Sequence, residues 1–376
     1  MNKITYLNRS LLSVFQPGKN SYPEISSDSF TAEWESPSNI ALVKYWGKKA
    51  GQLPTNPSLS MTLSKAVTHT SVVASESKVP GNLLIINGDP DHPFAPKLLK
   101  LVQWLVSEIP VLGKYSFQVT TANTFPHSAG IASSASGISA FSLCLLTIIP
   151  KITGKEIPAD EFYKIASFVS RMGSGSACRS IYSGFSVWGR TPGLHDSSDL
   201  FALPINDRVH RDFMKLRDAI LVVSSSPKTI SSSLGHELMK DHPYAGVRID
   251  QAKTNIQELL KALESGDIDK LAAISENEAL TLHSLIMTSA GGTILLEPGS
   301  IAILKKIQQA RQKGIPVLFS LDAGPNVHIL YPENCCDSAE KFIREELLQF
   351  CENGQVIFDL CGEGPVLIES ADHPIP

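Results

Sequence analysis

The pattern of apolar and polar positions divides the first half of the chain into strands and helices of an α/β arrangement. Apolar side chains such as Leu98, Leu101 and Leu105 recur at helical spacing over residues 95–108, and Pro110 closes the pattern. Residues 60–73 alternate Thr, Ser and Val as a half-buried strand does. The other segments predicted here are strands at 32–35, 83–86, 115–121 and 185–189 and helices at 138–149 and 160–170.

Beyond about residue 205 the pattern changes to long helices between short strands. The predicted order is a strand at 219–224, helices at 245–264, 268–289 and 300–314, strands at 317–321 and 327–331, a helix at 339–349 and a strand at 355–360. This is the split βαβ order of a ferredoxin-like domain. The sequence therefore predicts a domain at 31–205 and a second at 206–376, after a polar extension at 1–30 that adds little to the core.

Composition narrows the class of protein. A chain of 376 residues with 43% hydrophobic and 19% charged residues is typical of a globular protein, and a net charge of −4 argues against a nucleic-acid partner. The six cysteines show no C-x-x-C pair, so reduced thiols in a cytoplasmic protein are expected. The apolar run at 138–149 is too short for a membrane span. We therefore expect a soluble protein.

A turn rich in glycine and serine precedes the helix predicted at 138–149. Its backbone amides near Gly130 and the hydroxyls of Ser133 and Ser134 could hold phosphates at a helix N-terminus, where N–H groups are unsatisfied. The turn lacks the Lys-Ser/Thr ending of a Walker A loop and the spacing of a dinucleotide fingerprint. A turn chosen only for helix packing therefore remains an alternative.

Residues 36–48 form a second candidate segment. Lys44 and Lys48 stand four residues apart with Tyr45 and Trp46 between them, and could place two ammonium groups beside one anionic ligand. The alternative is a solvated basic turn. Because an aromatic pair is not typical of an exposed turn, and residues 54–58 form another turn close by, a pocket wall is favoured.

A third segment, residues 173–180, combines two hydroxyls with a guanidinium. Ser174, Ser176 and Arg179 are separated by glycine and other small residues, and arginine offers the planar fork that phosphate and carboxylate need. The alternative is an arginine paired with a structural carboxylate. Nearby, His195-Asp196-Ser197 suggests a hydrolase triad, but no G-x-S-x-G elbow occurs in the chain, which argues against a serine hydrolase.

The fourth candidate is Asp322, in a Gly-Pro turn between two predicted strands. Such an aspartate is often only a turn former. Here residues 315–321 are apolar, so the carboxylate would emerge at the end of a buried strand, a favourable place for a general base.

Taken together, residues 39–48, 53–56, 130–137, 173–180 and 322–326 resemble, in their order, the signatures of the GHMP kinase superfamily and, within it, the diphosphomevalonate decarboxylase family. Residues 195–197 and 231–232 also match, and the resemblance extends over about residues 36–331. It implies a two-domain α+β fold: an N-terminal α/β domain with a phosphate-binding helix N-terminus, and a C-terminal ferredoxin-like domain. The active site would lie in the cleft between them.

The resemblance also implies a reaction. ATP would phosphorylate the C3 hydroxyl of (R)-5-diphosphomevalonate, and the tertiary phosphate would then leave with CO₂ to give isopentenyl diphosphate. Asp322 would act on that hydroxyl as base or orienting group, and Arg179 would hold the departing carboxylate. The alternatives are a relative that acts on mevalonate or its monophosphate, and a non-catalytic ligand sensor of the same fold.

The site residues implied by the resemblance fall into four groups. Those for catalysis are Asp322, Arg179 and Lys48; those for the substrate are Asn39, Lys44, Tyr45, Lys48, Ser174, Ser176, Arg179 and Ser232. Those for ATP are Ser128, Ala129, Gly130, Ile131, Ala132, Ser133 and Ser134, and those for Mg²⁺ are Ser134 and Asp322. The expected partners are the substrate and ATP, with no nucleic acid and no membrane. A homodimer is left open.

Overall fold

The computed structural model describes residues 11–15, 29–77, 84–126, 131–226 and 232–370, and shows two β-sheets with associated helices. The strands are β1 (Ser29–Val43), β2 (Ser58–Glu76), β3 (Leu84–Ile86), β4 (Tyr115–Asn123), β5 (Phe185–Trp188), β6 (Ala202–Pro204), β7 (Arg217–Leu221), β8 (Leu318–Ser320), β9 (Val327–Tyr331), β10 (Val356–Leu360) and β11 (Val366–Ser370). The α-helices are α1 (Ala95–Glu108), α2 (Ser133–Thr153), α3 (Ala159–Gly173), α4 (Ser232–Leu238), α5 (Ala245–Ser265), α6 (Ile268–Thr288), α7 (Pro298–Gln312) and α8 (Cys336–Phe342).

The first sheet has the order β11-β1-β2-β4-β3, and β5 pairs with the start of β2. Helices α1, α2 and α3 contribute to the hydrophobic core that covers it, which includes Leu101, Phe141 and Phe168. Among the described residues, α2 is the one helix long and apolar enough to cross a membrane, yet 89% of its most apolar stretch is buried within the protein. A helix that is apolar all round and enclosed in this way is a central core helix.

The second sheet confirms the predicted ferredoxin-like arrangement. Its order is β10-β7-β9-β8 and every pairing is antiparallel. Numbered one to four along the chain, these strands stand in the order 4-1-3-2 across the sheet, as the split βαβ connection requires. The helical hairpin of α5 and α6 connects the first of these strands to the second, together with α7.

The two halves are joined by specific contacts. The carboxylate of Asp359 on β10 accepts hydrogen bonds from the backbone N–H groups of Ser64, Lys65 and Ala66 on β2, at 2.7–2.8 Å. The pairing register of β2 with β1 shifts in this region. Three consecutive N–H groups can therefore donate to one buried carboxylate. The contact fixes one edge of the second sheet against the first.

Two expectations about the chain ends are wrong. Leu12 and Phe15, in the segment expected to add little to the core, are fully buried in the core of the first sheet. Residues Val366–Ser370, expected in the second domain, pair as β11 with β1 of the first sheet. A five-residue run gives little periodicity from which its sheet could be predicted. The predicted boundaries near residues 30 and 205 otherwise stay a prediction.

Candidate active site

The four segments singled out in the sequence meet at one cleft between the two halves of the chain. The cleft opens to solvent, and its empty volume, part of which is that open solvent, is about 870 Å³. Its walls include these residues expected in the site: Asn39, Lys44, Tyr45, Lys48, Ala132, Ser134, Ser174, Ser176, Arg179 and Asp322. Residues more than 280 positions apart in the chain thus face a common space.

Lys44 directly follows β1 and is buried rather than solvated, which excludes the alternative of an exposed basic turn. Its Nζ donates to the carbonyl oxygen of Ala41 at 2.6 Å, to the Ser320 hydroxyl at 2.9 Å and to Asp322 Oδ1 at 3.2 Å. Burial lowers the pKa of Lys44, and the attraction of Asp322 opposes that shift. The buried ammonium therefore forms an ion pair with the Asp322 carboxylate, which belongs to the half of the chain that contains the other sheet.

Asp322 lies between β8 and β9, at the tip that the sequence pattern indicated. Its side chain is 24% exposed, and its carboxylate lines the cleft. The backbone on both sides is held in place: His283 Nε2 donates to the Asp322 carbonyl oxygen at 3.0 Å, and the Ser320 hydroxyl donates to Ala41 at 3.0 Å. The carboxylate therefore occupies a fixed position beside a buried cation and open to the cleft.

Arg179 is fully buried, and its guanidinium is held by neutral groups. Nη1 donates to Ser58 at 2.6 Å, Nε donates to Ser60 at 2.9 Å, and Nη2 lies 3.5 Å from Asn39 Oδ1. No carboxylate forms an ion pair with it among the residues described, so the alternative of a structurally paired arginine is not supported. Burial lowers the pKa of Arg179, and the nearby Asp322 opposes that shift. Such an arginine is oriented without being neutralised.

The short helical segment Gly175–Ile181 carries Ser176 and Arg179 along the cleft wall, with Ser174 at its N-terminal cap. Gly175 is needed there because a Cβ at this position would lie 2.8 Å from the rings of both Tyr45 and Trp188. The two rings pack against each other with centroids 4.6 Å apart. The Tyr45 hydroxyl is buried and has no hydrogen-bond partner among the described residues. The glycine thus lets the serine-rich turn approach the aromatic wall.

Helix α2 begins at Ser133, five residues before the apolar segment 138–149 and within the glycine- and serine-rich turn. Ala132 precedes it in the left-handed conformation (φ +46°), a strained geometry for a residue with a Cβ. The Ser38 hydroxyl donates to the carbonyl oxygen of Ile131 at 2.6 Å and so holds the entry to the helix. Ala132 and Ser134 line the cleft. The α2 N-terminus is therefore directed at this space.

Several expected residues are not among those that the structure shows lining the cleft. Ser128, Ala129 and Gly130 are outside the described residues, and so is the side chain of Ser232, the first residue of α4. His195 and Asp196 are 99% and 80% exposed, and they do not line the cleft. The Ser197 hydroxyl is bonded to the backbone of residues 191 and 194. The residues 195–197 therefore form a surface turn and no hydrolase triad.

The cleft also contains residues that the sequence interpretation missed. Lys97 in the first turn of α1, Gln52 and His236 of α4 all line it. The sequence pattern predicts only that Lys97 lies in a helix, and no local signal distinguishes it from a surface lysine. The positive φ of Gln52 (+59°), unusual for a residue other than glycine, is likewise visible only in the structure.

A buried ion pair behind the cleft was missed as well. Arg248 of α5 and Glu278 of α6 form a two-pronged contact at 2.6–2.7 Å with both side chains almost completely buried. Glu278 also accepts the backbone N–H of Lys44 at 2.9 Å. The pair therefore ties the helical hairpin of the second half to the end of β1, where Lys44 is placed.

The charge balance of the cleft favours an anionic ligand. Lys44, Lys48, Lys97 and Arg179 line it, against one carboxylate, Asp322, among the described lining residues. Burial, and then the neighbouring Lys48, lower the pKa of Lys97 to about 8. Packing several cations close together is costly without a bound anion, so the arrangement is suited to a polyanion such as a phosphate ester.

The oxygen donors expected for Mg²⁺, Ser134 and Asp322, both line this cleft. The part of the chain described here has no group of three or more His, Cys, Asp or Glu side chains placed to hold a metal ion. Because Mg²⁺ in nucleotide sites binds through one or two protein oxygens together with phosphates and water, these donors fit an ion that arrives with a nucleotide.

Comparison with known proteins agrees with this site. Residues 36–199 match the family described as diphosphomevalonate decarboxylase-like N-terminal domain, and residues 219–362 match the mevalonate 5-diphosphate decarboxylase C-terminal domain. The diphosphomevalonate decarboxylase of Candida albicans is 32% identical over 81% of this chain and 85% of its own length. That of Saccharomyces cerevisiae is 30% identical over 80% of this chain and 78% of its own length.

Solved structures show the same fold over most of the chain. The mevalonate diphosphate decarboxylase of Staphylococcus aureus superposes with a TM-score of 0.76 at 26% identity, covering 91% of this chain and 98% of that one. The enzyme of Enterococcus faecalis gives 0.74 at 27% identity, covering 91% and 99%. The two-domain GHMP kinase fold expected from the motifs is thereby confirmed. The chain belongs to the diphosphomevalonate decarboxylase family.

Proposed function

We propose that this protein catalyses the ATP-dependent decarboxylation of (R)-5-diphosphomevalonate to isopentenyl diphosphate, ADP, phosphate and CO₂, a step of the mevalonate pathway of isoprenoid biosynthesis. The observation that carries the proposal is the meeting of Asp322, Arg179 and the N-terminus of α2 at one cationic cleft. A phosphoryl donor, a hydroxyl acceptor and a carboxylate can be held there together. Cleft residues thus account for each part of the reaction.

The relatives support the substrate and the cofactors. Those of Candida albicans and Saccharomyces cerevisiae are named diphosphomevalonate decarboxylases. A solved relative with a TM-score of 0.74 and 27% identity is described as a complex with MVAPP, AMPPCP and magnesium. The requirement for ATP and Mg²⁺ follows for this chain from the same family and from a cleft suited to polyphosphate.

The first chemical step transfers the γ-phosphoryl group of ATP to the C3 hydroxyl of the substrate. Asp322 accepts the hydroxyl proton or orients the hydroxyl for in-line attack, and Lys44 holds the carboxylate in place at 3.2 Å. The amides at the start of α2, near Ala132 and Ser134, receive phosphates of ATP. Since phosphoryl transfer depends mainly on positioning and charge stabilisation, the fixed cations of the cleft supply most of the catalysis.

The second step breaks the C3–O and C1–C2 bonds and forms the C2–C3 double bond and the second C=O bond of CO₂. The C3–O bond breaks and the phosphate leaves, so positive charge develops at C3. The C1–C2 bond then breaks and CO₂ departs. The electron pair of the broken C1–C2 bond forms the C2–C3 double bond. Arg179, oriented by Ser58 and Ser60, holds the carboxylate until it departs.

The remaining cleft residues bind the substrate. Lys48 and Tyr45 face its diphosphate, together with the hydroxyls of Ser174 and Ser176. Asn39 donates to the Ser180 hydroxyl at 2.8 Å and faces Arg179, so it supports the site rather than adding charge. Ser134 and Asp322 would hold Mg²⁺, which would neutralise charge on the phosphate oxygens.

All six cysteines lie in the described residues and are free thiols, which supports a cytoplasmic location as part of this proposal.

The test is a product assay with mevalonate, its 5-phosphate and its 5-diphosphate side by side, each with ATP and Mg²⁺. We expect ADP and CO₂ in equal amounts, and only with the diphosphate. ADP without CO₂ would indicate a 3-kinase, and turnover of the monophosphate or of mevalonate would assign a different substrate. Binding of ATP with no turnover of any of the three would indicate a ligand sensor.

A further inference from the structure

His236 of α4 lies half-buried at the cleft wall, against two aromatic side chains of the other half of the chain. Its ring centroid lies 4.2 Å from that of Tyr45 and 5.0 Å from that of Trp46. The preceding Gly235 permits this approach, because a Cβ there would lie 2.3 Å from the Trp46 ring. Helix α4 is therefore seated directly on residues 45–47.

A backbone hydrogen bond fixes which ring nitrogen carries the proton. The N–H of Gly47 donates to His236 Nδ1 at 3.0 Å. Gly47 is held in a conformation that requires glycine (φ +90°), and a Cβ would lie 2.7 Å from the Thr55 hydroxyl. Because Nδ1 is an acceptor here, the neutral ring carries its hydrogen on Nε2.

The ring stays neutral throughout the physiological pH range. Burial, and then the positive charges of Lys48, Arg179 and Lys97, lower the pKa of His236 to about 3. Nε2 has no hydrogen-bond partner within the described parts of the chain, and His236 lines the cleft. A fixed, uncharged N–H donor thus stands among cations that gather an anion.

We propose that His236 contacts the substrate by donating a hydrogen bond from Nε2 to an oxygen of its diphosphate, while Nδ1 anchors α4 to Gly47. The diphosphate is the suitable acceptor because Lys48, which is assigned to it, lies beside this turn of α4: its Nζ is 3.9 Å from the carboxylate of Glu237, the residue after His236. The carboxylate of the substrate is assigned to Arg179. A neutral donor adds a hydrogen bond without adding to the repulsion among the cations. The inference rests on the proposed function and adds a residue to its substrate site.

Two variants separate the two nitrogens. In His236→Asn the amide oxygen can take the place of Nδ1 and accept from Gly47, but no donor reaches the position of Nε2. In His236→Gln the amide nitrogen reaches the position of Nε2, while the acceptor for Gly47 is lost. The pair therefore distinguishes a contact with the substrate from a purely structural anchor.

The measurement is the dissociation constant of diphosphomevalonate by titration calorimetry, for the full-length wild type and both variants. We expect the constant of His236→Asn to rise about tenfold or more, the size of one lost hydrogen bond to a charged group, and that of His236→Gln to rise clearly less. An unchanged constant in His236→Asn, or a rise as large in His236→Gln, overturns the inference. Failure of the wild type to bind this substrate overturns the proposed function instead.

A second readout does not depend on either variant folding. In the ¹⁵N-histidine spectrum of the wild type, His236 should show the Nε2–H tautomer, and its Nε2 signal should shift when diphosphomevalonate is added. Mevalonate, which lacks the diphosphate, serves as the matched control and should leave that signal in place. An Nδ1–H tautomer, or equal shifts with both compounds, contradicts the inference.

Discussion

Replacing Asp322 by asparagine removes the carboxylate beside Lys44 with little change in side-chain size. The Lys44 Nζ lies 3.2 Å from that carboxylate. At an effective dielectric constant of ~20, a pair at this distance attracts by about 5 kcal/mol. In the variant the buried ammonium keeps its hydrogen bonds to Ala41 and Ser320 but loses the carboxylate that contacts it, so its pKa should fall further and the lysine should lose its charge more readily.

Asp322→Asn therefore removes two contributions to the reaction, the carboxylate itself and part of the charge on Lys44. A positioned general base contributes roughly 10²–10⁴ in rate, or about 3–5 kcal/mol at 1.36 kcal/mol per factor of ten. We therefore expect kcat of Asp322→Asn to fall at least about a hundredfold, whereas ATP still binds because the α2 N-terminus is intact. Steady-state release of CO₂ and ADP measures the first, and titration calorimetry with ATP measures the second.

The neighbouring lysine supplies the control. Lys44→Met should also lower kcat, and the double variant should be clearly less impaired than the two single losses added together, because each single change disrupts the same pair. A kcat of Asp322→Asn within tenfold of the wild type would refute the role assigned to this carboxylate. Strictly additive losses of kcat in the double variant would also refute it, because additivity would mean that the contact between Lys44 and Asp322 does not contribute to the reaction.

Three further outcomes follow from the site. Arg179→Ala should lower kcat/KM for diphosphomevalonate by a factor that corresponds to about 2–4 kcal/mol of lost transition-state stabilisation, since a guanidinium with no carboxylate partner among the described residues can bind the substrate. Glu278→Gln should lower the free energy of unfolding by about 3–5 kcal/mol in urea titrations, because it leaves the Arg248 charge buried without its partner. The charged form of Lys97 is lost as pH rises through about 8, so KM for the anionic substrates should rise between pH 7 and 9 in the wild type and much less in Lys97→Arg.

Each of these has a matched control in the chain. Arg190→Ala alters an exposed arginine and should leave kcat/KM unchanged. Glu264→Gln disrupts an exposed ion pair with Arg208 and should cost less than about 1 kcal/mol. Lys100→Arg, on the exposed side of α1, should keep the wild-type pH profile. An effect of the control as large as that of the test variant would contradict the corresponding prediction.

Strong local periodicity determined much of the secondary structure. Helix α1 has the predicted ends, 95 and 108, because its apolar stripe is regular and a proline follows. The helix predicted at 339–349 is instead α8 followed by a wider π-helical turn at Ile343–Leu347, since an apolar stripe does not specify the hydrogen-bond step. The edge strands β6 and β11 were missed, whereas the equally short β8 and β9 were predicted, because β8 and β9 are fully buried apolar runs and the two edge strands are partly exposed.

The motifs of the site were visible in the sequence because close backbone approach and anion binding demand unusual local composition. The serine and glycine turns, the Lys-Tyr-Trp-Gly-Lys segment and Asp322 were therefore all identified, and their meeting at one cleft was predicted. Their roles were inferred from the family they resemble. Composition alone left each of them with an ordinary structural alternative.

Only the tertiary structure decided which further residues join the site and how its charges are balanced. Lys97 and His236 occupy ordinary helical positions, and their place in the cleft results from packing between segments far apart in the chain. Likewise, Arg179 is held by serines and Lys44 by a carboxylate 278 residues away. The charge state and direction of a buried group depend on its neighbours in space, and a linear pattern specifies those only within a few residues.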